Sequence, residues 1–493
     1  MPNKSPVEFI RSEVSDKLAL WDRIAAACEG QDTIKALKDT ILPRPNAADT
    51  SAENNARYEA YLKRAVWYNV SARTLNGLAG YVFQKEPTVN LPADLKPLET
   101  NVDGSGVTLL QQAKAALRSV IAFGRGGLLV DYPSTDGPTT KQDLLDGNIA
   151  PTIVLYGPKA IINWKTSHEG ARTFLDLLVL QETFSSEGQD GFTVVNQLQY
   201  RVLRRVQSPL GVTGEIWRAN DAGEFSNQID LSFIVTDKNG VGLSEIPFAF
   251  LGAINNDSEV DTPPLADLVN LNIAHFLNSA DYEEASFMVG QPTPWVSGLT
   301  DTWVKDVLKG SMHLGSRAVI PLPVGGAAGL LQASPNTMPF EGMQHKEHQM
   351  VALGAKLVEQ SSVQRTATEA GMDHSSEMST LVSAATNVFL AYKLALKFAS
   401  QFTGAKDAKV EFELSEPLTR ENITPQEATS IMGLWMGGLI DFEEARTVLK
   451  EAGIAWKEDD LVKQAATDQG LNQPSNNTPQ GNGNQTSNPV TGV

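Results

Sequence analysis

Apolar positions change their period along this chain, and the changes mark out its elements. From residue 4 to about 85 they recur every three to four residues: Phe9, Ile10, Leu18, Leu20 and Ile24 in one segment, then Tyr61, Leu62, Ala65, Tyr68, Ala72 and Leu75 within AYLKRAVWYNVSARTLNGLAGYVF. That spacing predicts amphipathic helices, with Lys63, Arg64 and Arg73 on the solvated side in preference to a nucleic-acid-binding face. VTLLQQAKAALRSVIAF continues the helical period, runs into Gly124, Gly126 and Gly127, and gives way to LLVDYP, which reads as helix, tight turn and strand. From about 150 to 250 the pattern is that of strands, in PTIVLYG, TFLDLLVLQETF, FTVVNQLQYRVLRRV, GEIWRA, LSFIVTD and IPFAFLG, with Gly, Asp, Asn and Ser turns between them.

The helical period then returns. After Pro263 and Pro264 it is carried by Leu265, Leu268, Val269, Asn272, Ile273, Phe276 and Leu277. Later, Met378, Leu381, Val382, Ala385, Val388, Phe389, Tyr392, Leu396 and Ala399 form a sustained stripe, opposed by Ser383, Asn387, Lys393 and Lys397. Thr366-Ala-Thr-Glu369 has capping-box spacing and predicts the start of that helix, while Gly371 inside it marks a bend. VEFELSEPL reads as a returning strand and ITPQEATSIMGLWMGGLIDFEEARTVLKEAG as two helices. The 24 residues after Gln469, rich in Asn, Gln, Gly, Pro and Thr, lack the apolar content to pack and are expected to be disordered. Strands between helical segments without regular βαβ alternation give an α+β protein and argue against a doubly wound nucleotide-binding fold.

At 493 residues the chain exceeds what one core supports, so several subdomains are expected. Cys28 is the only cysteine, which permits no intramolecular disulfide or cysteine-based metal cluster. The N-terminus lacks an apolar h-region, so no secretory signal is expected, and no run of 18 uncharged apolar residues suggests a membrane span. Ala318–Leu331 comes closest, but it is short and contains Pro321 and Pro323. The net charge of −18 speaks against a protein that grips nucleic acid by neutralising phosphates, though not against one past which DNA slides.

Candidate chemistry is sparse. GRGG at Gly124–Gly127 follows a helix and precedes a strand, the reverse of the order that aims a helix N-terminus at phosphate, and no G-x-x-x-x-G-K-[ST] occurs. Asp373, His374 and Ser375 are adjacent, but consecutive helical side chains point about 100° apart and cannot relay a proton. Glu341, His345 and His348 share a helical face, yet a further ligand is needed, and His168, His275, His313 and His374 offer no matching pair. Solvated or interface histidines are the better reading, with no catalytic, cofactor or metal site. From Pro264 to Gly290 the chain carries Asp267, Asp281, Glu283 and Glu284 and no Lys or Arg, so this helix is either an ordinary acidic surface helix or one facing a channel.

The stretch IPFAF…NN…PPLADLVNLNIAHFLNSADYEEASF…P resembles the segment of tailed-bacteriophage portal proteins in which a strand and an Asn-rich turn lead into a stem helix. Asp267, Leu268, Asn272, Asn278, Ser279 and Asp281 stand at the residue types of that pattern. The resemblance implies a wing over 1–262, helical at first and β-rich over 127–262, then a stem helix over 263–290. A clip would occupy 291–338, with Trp295, Trp303, the strand SRAVIPLPV and the segment VGGAAGLL. A second stem helix over 339–359, a tunnel loop over 360–366, a long kinked helix and return strand over 367–422, a crown over 423–468 and the tail over 469–493 would follow.

What it implies about role is a non-enzymatic subunit of a dodecameric ring in the virion, at one capsid vertex, assembled in the host cytoplasm. Double-stranded DNA would pass through without sequence specificity, and no membrane is involved. The implied partners are the terminase large subunit, the major capsid or scaffold protein, and the head-completion (adaptor) and tail proteins. Gln360, Ser361, Ser362, Gln364, Arg365 and Thr366 become the tunnel-loop candidates, and Asp281, Glu283, Glu284, Glu359, Glu369 and Asp373 the acidic lining or subunit contacts. An acidic lumen would let the phosphate backbone pass without adhering. The alternatives are another phage structural or assembly protein, or a hydrolase using His374.

Overall fold

The computed structural model describes residues 5–132, 150–188, 190–206, 211–220, 224–227, 231–237, 239–290, 293–307, 321–331, 337–354, 367–404 and 409–414, together with scattered positions from 430 to 446; side chains of 367–379 are outside the description. The chain divides into two compact units, Met1–Glu416 and Pro417–Val493. In the second, Asp441 and Glu444 cap each other's backbone amides at 3.0 and 2.7 Å, the reciprocal pattern that opens a helix.

The first unit is an α+β fold whose helices, in chain order, begin with α1 Ser12–Glu29, α2 Gln31–Ala36, α3 Ala52–Arg64 and α4 Val70–Val82. There the single amphipathic segment expected across Ala60–Phe83 is two helices. Asn69 accepts a bond from the Ala72 amide and caps α4, while the Val66 and Trp67 amides are taken by Ser279 Oγ and Gln31 Oε1. Tertiary partners thus satisfy the backbone groups that a continuous helix would have used.

Next come β1 Thr88–Asn90, α5 Pro97–Thr100, α6 Leu109–Phe123, β2 Arg125–Asp131 and β3 Thr152–Tyr156. Thr108 and Gln111 form a capping box at the start of α6, and Gly124 ends it in the left-handed conformation at φ 73°. Of the glycines in GRGG only Gly124 is a turn. Gly126 and Gly127 lie within β2, where the Phe248 ring occupies the space a Cβ on Gly127 would need.

The strands from β4 onward are β4 Ile161–Glu169, β5 Arg172–Glu187, β6 Val194–Val206, β7 Gly211–Ala219, β8 Phe225–Asn227, β9 Phe233–Val235 and β10 Phe248–Gly252. They divide the β-rich region between two sheets. β4-β5-β6-β7-β8 form one antiparallel sheet, with β9 also on β7, and the other is β10-β2-β3. Val7, Ile162, Leu177, Val179, Tyr200 and Val202 make the core under the larger sheet. β4 was not legible in sequence: shifts in its register against β5, between Ile161 and Asn163 and again between Lys165 and Thr166, break the two-residue alternation.

Beyond β10 follow α7 Ala266–Gly290, β11 Thr293–Ser297, α8 Asp301–Asp306, β12 Ala327–Leu331, α9 Met338–Ala352, α10 Ala367–Phe402 and β13 Glu411–Glu413. Of the strand expected at SRAVIPLPV, only 321–324 are described, and they are not strand. The strand that pairs with β11 comes from the glycine-rich segment that follows. Pro321 and Pro323 lack the N–H a ladder needs.

α10 begins at Ala367, next to the expected capping box, and its helical bonding continues through Gly371 without a break. It packs on β10, β2 and α6, burying Leu381, Ala385, Val388, Phe389, Tyr392, Leu396 and Ala399. Asn387, expected on the solvated side, is instead buried. Thr380–Phe402 also supersedes Ala318–Leu331 as the segment closest to a membrane span in length and hydropathy, but 61% of its apolar window is buried in the chain, as in a core helix.

Candidate functional site: an antiparallel helix pair and its polar seat

The turn between β10 and α7 is held from three directions. Within it, Asp261 accepts from the Ile254 amide at 2.8 Å, and Asn255 and Asp257 each cap an amide two residues on. From α10, Asn387 donates to Gly252 O at 3.0 Å and its own carbonyl accepts from Asn256 Nδ2 at 2.7 Å. That exchange explains why Asn387 is buried: it takes the place of a ladder partner for a strand end. From β2, the wholly buried Arg125 guanidinium lies 4.2 Å from the Trp164 ring and 4.9 Å from Phe250, and donates to Ser258 O and Glu259 O at 3.0 and 2.7 Å. Burial pushes the pKa of Arg125 down to about 10, opposed by the nearby Asp261 and Asp257 carboxylates.

α7 leaves this turn and lies against α1, α3 and α4. Its polar residues make that contact. Asn272, with no exposed surface, accepts from the Ser71 amide and hydroxyl at 3.2 and 2.9 Å and donates to Tyr68 O at 2.8 Å. Ser279 takes the Val66 amide at 3.0 Å, Asp281 accepts from Tyr61 Oη at 2.7 Å, and Glu284 pairs with Arg64. Three of the six residues that carry the portal resemblance, Asn272, Ser279 and Asp281, therefore bind α7 to the junction between α3 and α4. Burial first, then the Asp281 carboxylate, raises the Tyr61 pKa. Arg64, expected in solvent, lies 4.3 Å from the Phe287 ring as well as against Glu284.

α9 returns antiparallel to α7. His275 meets Glu347 at 3.2 Å, the Tyr282 and Phe340 rings are 5.7 Å apart, and Gly342 has no Cβ where Asn278 reaches across. These contacts pair successive residues of one helix with preceding residues of the other. At the far end a shallow groove of about 550 Å³ opens between the two helices, lined by Asp267, Asn270, Leu271, Ala274, Gln349, Ala352 and Leu353.

The expected acids differ in their surroundings. Asp281 and Glu284 are engaged within the chain, Asp267 is exposed in the first turn of α7, and Glu283 is half-buried. The negative charge of Asp267 suits the positive end of the helix dipole. Gln360, Ser361, Ser362, Gln364, Arg365, Thr366 and Glu359 lie outside the described residues; Glu369, Gly371, Asp373 and His374 are on α10 where side chains are outside the description. Of the histidine face on α9, Glu341 accepts from Thr337 Oγ1 at 2.9 Å and the His348 ring bonds Gln344 O at 2.7 Å. Among the described residues, no three His, Cys, Asp or Glu side chains gather as a metal site would need. Sequence reasoning missed the pairing of His275 with Glu347 and of Arg64 with Glu284; both join helices that are far apart in the chain, and no local spacing signals them.

A family model described as "Domain of unknown function (DUF4055)" matches residues 264–403. It runs from the start of α7 to the end of α10, and so contains the antiparallel pair, the module between its helices, and the helix that anchors the turn before it. No match was found among curated proteins. Among solved structures, a chain of "Virion of native gene transfer agent (GTA) particle" is similar over 87% of this chain and 99% of that chain, at 13% identity and a TM-score of 0.41. A chain of "Neck of empty GTA particle computed with C6 symmetry" is similar over 79% and 92%, also at 13% identity and a TM-score of 0.41. One of "Neck of native GTA particle computed with C12 symmetry" is similar over 78% and 90%, at 13% identity and 0.40.

Proposed function

We propose that this chain is a portal protein, the ring-forming subunit at one vertex of a phage-type capsid through which the genome enters and leaves. The observation that carries the reading is the helix pair: an acidic α7 without Lys or Arg rises from an Asn-rich turn, returns as α9 after a small β-containing module, and is followed by the long α10 packed back on the sheet that launched it. This is the order of stem, clip, stem and long helix that the sequence resemblance implies. The same reading makes the ring dodecameric and its lumen a conduit for double-stranded DNA. It assigns docking of the terminase large subunit during packaging, contact with the major capsid or scaffold protein at assembly, and attachment of head-completion and tail proteins afterwards.

The role so described is mechanical, and no catalytic step is assigned to the chain. An acidic pore wall repels phosphate, which keeps DNA mobile, since each neutralising contact would release counterions and hold the duplex. α7 fits that requirement in charge, although Asp281 and Glu284 are engaged within the subunit, leaving Glu283 as its better lining candidate. Negative-stain microscopy and mass measurement of the purified protein test the reading: rings with a central hole are expected, and a compact monomer at every concentration overturns it.

A further inference from the structure

A head-to-tail ring needs two different surfaces on each subunit, one that enters and one that receives. We propose that the groove between α7 and α9 receives the outer face of α10 from a second copy of this chain, with Lys397 of that copy set against Asp267. The inference rests on the ring reading and says which surfaces would close the ring.

The entering surface is apolar and basic. Leu390 and Leu394, one helical turn apart, are 54% and 42% exposed although the rest of the helix from Leu381 onward is largely buried, and Lys397 extends the same face. From Thr380 to Phe402 there are two lysines and no Asp or Glu. The receiving surface has the opposite character: Leu271, Ala274, Ala352 and Leu353 form an apolar floor, Leu353 is 50% exposed, and Asp267 stands at the rim of a helix that carries no base.

Charge is left over on both sides. Lys393 is paired with Glu413, and on α7 Asp281 and Glu284 have partners, but among the described residues Lys397 and Asp267 form no ion pair. The packing order adds a geometric reason. α7 lies on α4, α4 on α6, and α6 on α10, so the two surfaces belong to different elements of the subunit. A groove on one element and a ridge on another make a heterologous contact, the kind that can repeat by rotation.

The test joins the two surfaces covalently. Cys28 is half-buried and burial pushes its thiol up to about 11, so it reacts poorly at neutral pH, and Cys28→Ser removes it altogether. In that background, Leu353→Cys and Leu390→Cys are placed in the same chain, both at exposed positions, and treated with a short bismaleimide. The expected result is a ladder of covalent multimers that neither single-cysteine chain produces. Rings seen by microscopy without the ladder, or a link formed within one chain, overturn this interface and leave the ring reading standing. A protein that is monomeric at all concentrations overturns both.

Charge exchange gives an independent readout. D267K and K397E should each lose rings, and the two together should restore them; unchanged rings in either single variant, or no restoration in the pair, count against the contact.

Discussion

Asn272 is the residue on which the attachment of α7 most depends. It is fully buried and holds three groups: the Ser71 amide, the Ser71 hydroxyl and the Tyr68 carbonyl. In Asn272→Ala the hydroxyl can turn to another acceptor and the Tyr68 carbonyl keeps the Val70 amide at 2.8 Å, but the Ser71 amide is a backbone group fixed by the cap of α4. At about 1–2 kcal/mol for a stranded backbone group, the junction between α3 and α4 loses about 1–2 kcal/mol of local stability. Even the lower figure corresponds to about fivefold more frequent opening.

Hydrogen exchange of peptides covering residues 66–72 reads this directly, because the Ser71 amide is itself one of the protected groups. Asn272→Asp should be worse than Asn272→Ala: it keeps an acceptor for Ser71, loses the donor to Tyr68 O, and buries a charge. Asn270→Ala, on the exposed side of the same helix, is the control and should leave exchange there unchanged. Exchange in Asn272→Ala within threefold of the parent, or an equal effect from Asn270→Ala, would refute the assignment of Asn272 as the anchor.

Two further substitutions test the surroundings of the helix pair. Tyr61→Phe removes the hydroxyl that Asp281 accepts; because the folded pKa of Tyr61 is raised, its contribution is present below the unfolded value near 10 and is lost as pH rises above it. The unfolding free energy of the parent, from urea titrations, should therefore fall relative to that of Tyr61→Phe with a slope of up to about 1.4 kcal/mol per pH unit above about pH 10, and a gap that stays constant into the alkaline range contradicts the raised pKa of Tyr61. Gly124→Ala should destabilise by at least about 1–2 kcal/mol for its left-handed backbone alone, with more from a Cβ only 2.8 Å from Asp261 O. Gly80→Ala in α4, where a Cβ meets nothing within 4 Å, should be neutral or stabilising by about 1 kcal/mol, and equal urea midpoints for the two variants would be the contrary result.

Local rules were sufficient for much of this fold. Thr108 and Gln111 bracket the start of α6 as a capping box, and Gly124 supplies the left-handed turn that ends it. Pro263 and Pro264 stand just before α7, and the apolar stripe from Leu381 to Ala399 is the buried face of α10. In each case the signal lies within a few residues, where propensity, capping and period act. The failures were equally local in origin. A bulged register hid β4, and the periodicity across Ala60–Phe83 ran straight through a break that Asn69, Ser279 and Gln31 create together.

The sequence by itself determined where most helices and strands lie, that they form an α+β protein, and that α7 is acidic without compensation. Only the tertiary structure decided which of the polar residues on α7 face inward. Asn272 has its partners in α4 and the residue pair before it, Glu284 has Arg64 at the end of α3, and the resemblance pattern therefore contains anchors as well as any lining. Similarly, β2 lies between β3 and β10, and Arg125 is buried under a turn that follows β10. A buried polar side chain is stable only beside groups that satisfy it, and those groups come from distant segments whose arrival no local pattern records.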